Sequence, residues 1–204
     1  PEAVFRDFEP VPYAAASIAQ VYRARLQDGK AVVLKVRRPG IRPIIEADLR
    51  ILTALARVAE RELPELQRFQ PVEMIAQFGK SIARELDLAL EARNQDRFAK
   101  NFAGDDTVVI PGIHWQHTSQ LMNVQDFLEG VPGNDLELVE RAGLDRKVLA
   151  DRGAAAVLKM ILIDGFFHAD PHPGNLFYLP GNRIALIDFG MVGRIPPRRR
   201  EELL

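Results

Sequence analysis

The stretch Phe167-His168-Ala169-Asp170-Pro171-His172-Pro173-Gly174-Asn175-Leu176-Phe177-Tyr178 turns through Leu179-Pro180-Gly181-Asn182 and returns as Arg183-Ile184-Ala185-Leu186-Ile187-Asp188-Phe189-Gly190. Two short apolar segments on either side of a Pro-Gly-Asn turn predict a β-hairpin. Asn175 then stands just before one strand and Asp188 just after its partner, so the polar groups at the open end of the hairpin are neighbours.

Phosphoryl transfer from ATP asks a protein for positioned charge more than for covalent chemistry. One carboxylate orients or deprotonates the acceptor, while an amide and a second carboxylate hold the Mg²⁺ ions that bridge the phosphates. The protein-kinase pattern places the catalytic Asp five residues before the metal-binding Asn and follows both with Asp-Phe-Gly. Asp170 and Asn175 have that spacing, and Asp188-Phe189-Gly190 comes one hairpin later. Three rival readings use the same residues. Asp170 and Asn175 as mere caps of a tight Pro-Gly turn leave the joint spacing unexplained. A metal hydrolase ligated by His168, Asp170, His172 and Asp188 needs a strand where Pro171 and Pro173 argue against one. A small-molecule kinase of the aminoglycoside or choline type carries a similar His-x-Asp-x-His-Pro-x-Asn loop, and the rest of the chain must separate it.

The chain has 204 residues, 47% hydrophobic and 27% charged, which suits one soluble domain or two lobes with a good core. With 27 basic against 28 acidic side chains and a formal charge of −1, no global field recruits nucleic acid or an anionic membrane. The absence of cysteine excludes disulfides and thiolate metal sites and fits a cytoplasmic or membrane-associated place facing a reducing compartment. The most apolar run, Ala154 to Phe167, is interrupted by Lys159, Asp164 and Gly165 and is too short to span a bilayer. The chain starts at Pro1 and stops at Leu203-Leu204 in what reads as mid-helix, so the expectation is an excised fragment with any membrane anchor or targeting segment outside it.

Outward from the central stretch, Val21 to Leu26 alternates as a strand, Asp28-Gly29 signals a hairpin, and Ala31 to Val36 is the returning strand with a single cation, Lys35. A Lys in an apolar strand is costly to bury unpaired and should meet a phosphate or a carboxylate; an exposed edge strand is the alternative. Before these strands lies Ala14-Ala15-Ala16-Ser17, where a nucleotide-covering loop normally uses Gly. Alanine keeps close approach but removes hinge freedom. An Ala-rich helix start is the competing reading. Pro43 to Glu62 is helical by periodicity, Pro64 ends it, and a second helix is expected from about Val72 to Phe102. Asp87 and Glu91, one turn apart, share a face of that helix, and either can pair with Lys35. Val108 to Pro111 and Leu121 to Gln125 predict two further strands of the same sheet. Asp126 to Gly130 then leaves the sheet as an inter-lobe connection whose backbone can bond an adenine, with Gln125, Asp126 and Leu128 as candidate contacts. Asp145 to Asp164 is expected as a buried helix leading to the Asp170 loop, and a last helix starts near Pro197, carrying Arg198, Arg199 and Arg200.

Ala14 to Val21, Lys35-Val36-Arg37-Arg38-Pro39-Gly40, Glu85-Leu86-Asp87 with Glu91, His168 to Asn175 and Asp188-Phe189-Gly190 together resemble the UbiB family of atypical kinases, the AarF-related group. The Ala-rich loop and the Glu-x-Asp helix are not features of aminoglycoside kinases. The resemblance implies an α+β, protein-kinase-like two-lobe fold: an antiparallel N-lobe sheet with inserted helices over residues 1–125, and a truncated, mainly helical C-lobe over 126–204. It implies ATP and Mg²⁺ as cofactors, Lys35 on the α/β-phosphates with Glu91 as its helix partner, Asp170 as the catalytic carboxylate, and Asn175 with Asp188 as magnesium ligands. Ala14 to Ser17 replaces the Gly-rich loop. Glu85 and Asp87 are regulatory positions facing an N-terminal extension with a Lys-x-Gly-Gln motif. The partners so implied are a lipid or quinone-precursor small molecule and a lipid-biosynthetic protein complex, with peripheral membrane contact, in isoprenoid-quinone or lipid metabolism. Ala19 departs from the family, where Gly often sits.

Overall fold

Residues 3–202 are described in the computed structural model, a mixed α+β chain. Pro1 and Leu203-Leu204 lie outside the described residues. Four strands come first: β1 (Phe5–Arg6), β2 (Ala14–Ala15), β3 (Ala19–Leu26) and β4 (Ala31–Arg37). The Asp28-Gly29 turn works as expected, with Lys30 N donating to Asp28 Oδ1 at 2.9 Å and β3 pairing β4 from Ala19↔Arg37 to Arg25↔Ala31. Alternation along β4 sends Val32 and Leu34 into a core with Ala24, Leu26 and Val124, and turns Val33 and Lys35 to the opposite face. The Ala-rich segment is extended, not helical: Ala14 pairs with Val21 and Ala15 with Gln20.

Three helices follow: α1 (Ile41–Glu62), α2 (Pro71–Glu85) and α3 (Leu88–Asn101). The sequence predicts one helix over 72–102, and the structure breaks it at Leu86-Asp87. The cause is local. The Asp87 carboxylate accepts hydrogen bonds from Ala89 N at 3.0 Å and Leu90 N at 3.2 Å, satisfying orphan donors of a new helix start. Arg37 Nη1 donates to Leu86 O at 2.8 Å and fixes the break to the end of β4.

Strand β5 (Val108–Val109) corrects a second expectation. Whereas β6 (Met122–Asp126) joins β4 in the first sheet, β5 lies parallel to a strand of another sheet, with Ile184↔Val108 and Ala185↔Val109. Burial explains it, since Val108 packs with Phe98, Leu186 and Phe189. That second sheet is completed by β7 (Val131–Pro132), then, after α4 (Leu136–Arg141), α5 (Arg146–Leu158) and β8 (Phe166–His168), by β9 (Leu176–Leu179) and β10 (Arg183–Leu186). The central hairpin forms as the turn predicts, from Arg183↔Leu179 to Leu186↔Leu176, with Gly181 and Asn182 at φ 79° and 59°. The expected helix over 145–164 is α-helical to Leu158 and π-helical from Lys159 to Asp164. The π-helical hydrogen bonds link residues five apart, and over that interval Lys159 Nζ bonds Asp164 at 2.9 Å; it also donates to Asn101 O at 2.7 Å. The last strand, β11 (Val192–Arg194), pairs with β8, and α6 (Pro197–Glu201) starts at the predicted proline.

Candidate active site

A cleft of about 490 Å³ lies between the two sheets and collects residues from nearly every motif of the sequence. Its charged centre is built from β4, α3 and the segment after β10. Lys35 Nζ stands 2.9 Å from both carboxylate oxygens of Glu91 and 3.0 Å from Asp188 Oδ2. Burial alone would lower the Lys35 pKa, but Glu91 and Asp188 outweigh it and hold the ammonium above its ordinary value. Burial pushes the Glu91 carboxyl up, with Lys35 pulling against it. Asp188 would also be raised by burial, yet Lys35 and the Gly190 N–H hold its carboxyl below the usual range. Of the two acids predicted as partners for Lys35, Glu91 fills the role. Asp87, used as the α3 cap, does not reach it.

Phe189 fixes Asp188 in this position. Its ring is fully buried, 5.1 Å from the Phe98 ring centroid and 5.7 Å from that of His168. Asn94 Nδ2 donates to Phe189 O at 3.0 Å, and His168 Nε2 donates to Asp188 O in a short contact. The other His168 nitrogen, Nδ1, accepts from Asp170 N at 3.2 Å, so one imidazole spans the two motifs. Burial pushes its pKa down, consistent with a neutral ring that donates on one side and accepts on the other. Neither Asn94 nor Gln95 was singled out by sequence. Their signal was polarity on the apolar face of a helix.

Across the cleft, Asn175 Nδ2 donates to Asp170 O at 3.0 Å and to Asp170 Oδ2 at 3.3 Å. The five-residue spacing thus closes on itself and leaves the Asn175 amide oxygen for another partner. His172 caps the short turn that follows, its Nδ1 accepting from Gly174 N at 2.9 Å, and its Nε2 lies 3.7 Å from Asp170 Oδ2. These bonds weigh against the metal-hydrolase reading, because both ring nitrogens of His168 already have partners. Among the described residues no group of three or more His, Cys, Asp or Glu is arranged to hold a metal. The remaining donor set, Asp188 with the Asn175 amide oxygen, fits Mg²⁺, which is commonly held by one or two protein groups together with substrate phosphates and water.

At the far end, Ala14 and Ala16 line the cleft and Ala15 and Ser17 do not. Gln125, Asp126 and Leu128 line it too, and Gln125 Oε1 is buried without a partner among the described residues. Asp126 is the last residue of β6 rather than free connection. Its backbone N–H donates to Gly112 O at 2.9 Å, and its carboxylate meets Lys30 at 2.7 Å and His114 at 2.8 Å. Burial would raise its pKa, but the Lys30 and His114 bonds hold it below the ordinary value. Phe127 N also has a partner, Ala31 O at 3.1 Å. Glu85 stands exposed on the cleft wall.

Residues 1–204 match the ABC1 atypical kinase-like domain. The chain is 40% identical over 199 residues to the "Probable protein kinase UbiB" of Aeromonas hydrophila, covering 95% of this chain and 36% of that protein. It is 40% identical over 203 residues to an uncharacterized protein, sll1770, of Synechocystis, covering 98% of this chain and 34% of that one. The chain therefore spans about a third of the length of these relatives. Among solved structures, the Rv3197–erythromycin complex from Mycobacterium tuberculosis superposes with a TM-score of 0.73 at 30% identity, over 94% of this chain and 48% of that one.

Proposed function

The chain belongs to the ABC1 atypical kinase-like family, and on that premise we propose that its cleft binds ATP with Mg²⁺ and hydrolyses it or transfers its terminal phosphoryl group. One observation carries this reading: the Lys35–Glu91–Asp188 cluster, at 2.9 and 3.0 Å, shares a cleft with the Asp170–Asn175 pair. Lys35, kept charged by its two carboxylates, is the group for the α/β-phosphates, and Glu91 keeps it aimed. Asp188 and the Asn175 amide oxygen are the magnesium ligands. Mg²⁺, when bound, supplies charge that offsets the phosphate oxygens. Asp170, whose side chain is 46% exposed, accepts the proton of the attacking water or acceptor hydroxyl. Ala14 and Ala16 close over the phosphates, with Ala15 and Ser17 setting the shape of that segment. At the base end, Gln125 offers an acceptor for an exocyclic amino group, and Leu128 offers backbone groups that have no partner among the described residues.

The division into an N-lobe over 1–125 and a partial C-lobe from 126 belongs to the same reading, with β5 reaching across to the second sheet. So do the regulatory roles: Glu85 at the cleft wall, and Asp87 through the cap that sets where Glu91 stands. The role that goes with relatives named UbiB is support of ubiquinone, other isoprenoid-quinone or related lipid metabolism. Its acceptor is a lipid or quinone-precursor small molecule, reached in a lipid-biosynthetic complex or at a membrane surface. No helix of the described residues is long and apolar enough to cross a membrane.

The test is a double-mutant cycle on ATP turnover in the intact protein. Lys35→Met and Glu91→Gln each impair turnover, and the double variant loses less than the sum, by roughly 0.5–3 kcal/mol of coupling. Strict additivity would show that the pair does not act as a unit.

A further inference from the structure

Arg23 is held in an unusual way. It lies in β3 opposite Val33, and its buried Nε has no hydrogen-bond partner among the described residues. Its guanidinium carbon is instead 3.7 Å from the Tyr13 ring centroid and 4.6 Å from the Phe127 ring centroid. A planar, weakly hydrated cation between two aromatic faces is attracted to both, whereas an unpaired buried donor costs stability. The sandwich is therefore what keeps the side chain in place.

Its three members come from three parts of the chain. Tyr13 leads into the Ala-rich segment, anchored by its N–H to Val21 O at 2.8 Å, and Phe127 opens the connection after β6. Both residues line the cleft, and Arg23 does not. At its other end the Ala-rich segment is tied by Arg38, whose Nε donates to Ala16 O at 3.0 Å and whose N–H donates to Ile18 O at 2.9 Å. A covering segment without glycine, fixed at both ends, has little freedom to lift.

We propose that Arg23 is a positioning residue: by joining Tyr13 to Phe127 it ties the Ala14–Ser17 segment to the inter-lobe connection and sets how fast nucleotide enters and leaves. Nucleotide exchange then requires the sandwich to open. This rests on the nucleotide reading of the cleft, but the tie itself is testable without nucleotide.

In the nucleotide-free intact protein, Arg23→Ala is expected to speed amide hydrogen exchange at Tyr13 and Ala16 by about five- to thirty-fold, the weight of two such cation contacts. With N-methylanthraniloyl-ADP and Mg²⁺ in stopped flow, association and dissociation both accelerate by a similar factor. Arg23→Lys, which keeps charge but loses the planar stack, falls between wild type and Arg23→Ala. Tyr13→Leu removes one face only, at a side chain already 49% exposed, and gives a smaller acceleration in a variant that retains its fold. Amide exchange and both rate constants within twofold of wild type in Arg23→Ala and Tyr13→Leu would overturn the proposal. A wild-type protein that fails to bind the probe overturns the nucleotide reading instead, and the exchange measurement still decides the tie.

Discussion

Helix α3 and the α1–α2 pair are neighbours in sequence and opposites in burial. Over its fourteen residues α3 buries Leu88, Ala89, Ala92 and Phe98, and with them Glu91, Asn94 and Gln95. In α1 and α2 together only Ala56 is buried, while Ile44, Ile51 and Leu55 on one face of α1 stay 58–61% exposed. The polar residues are inside and large apolar ones outside, which inverts the usual rule. Partners explain the first half: Glu91 has Lys35, Asn94 has Phe189 O, and Gln95 Nε2 has Pro111 O at 2.8 Å. Helices α1 and α2 pack mainly on each other, close enough that a Cβ on Gly79 would sit 3.3 Å from Leu49. Helical periodicity thus marks a face without saying what meets it.

Changes on α3 should therefore be felt far more than changes on α1. The largest effect is expected for Phe98→Ala, which empties the centre of the ring cluster with Phe166 and Phe189 and should cost about 3–5 kcal/mol in denaturant unfolding. A loss under about 1 kcal/mol would mean that α3 is not the buried helix that holds the core. Asp87→Ala removes the cap that separates the two regions and should cost about 1 kcal/mol, with a matching fall in turnover if the cap places Glu91. Asp126→Asn probes a site outside both regions. The Asp126 pKa is depressed in the folded state, so its contribution is present above the unfolded value near 3.9 and is lost as pH falls through the folded one. The melting-temperature gap between wild type and Asp126→Asn should accordingly be open at pH 7 and narrow towards pH 3. Ile51→Gln is the smallest expected change, within about 0.5 kcal/mol. A much larger loss in the intact protein would mean that further chain packs on that face.

Local chemistry made part of this legible in advance. The Pro180-Gly181-Asn182 turn and its flanking strands, the five-residue interval from Asp170 to Asn175, and Lys35 within the apolar run of β4 all depend on residues close in sequence, and each stands where its spacing puts it. The break between α2 and α3 was hidden because apolar residues recur almost without interruption from Ile75 to Phe98, and one Asp outweighs that rhythm only through its hydrogen bonds. The sheet to which Val108–Val109 belongs was not legible at all. Two residues pairing in parallel with a strand more than seventy positions later leave no local trace, and burial alone decides them. Tyr13, Arg23 and Phe127 were missed for the same reason, since their meeting depends on register between β2, β3 and the segment after β6.

In the proposed site Asp188 holds a magnesium ion for a nucleotide beside Lys35. Calorimetric titration of ATP, with Mg²⁺ and with chelator, into the wild-type protein and Asp188→Asn tests this. Wild-type binding is expected to tighten with Mg²⁺ and to weaken in the variant by at least about tenfold, about 1.4 kcal/mol, because an anionic ligand becomes neutral. Magnesium-dependent affinity that stays near wild type in Asp188→Asn would contradict it.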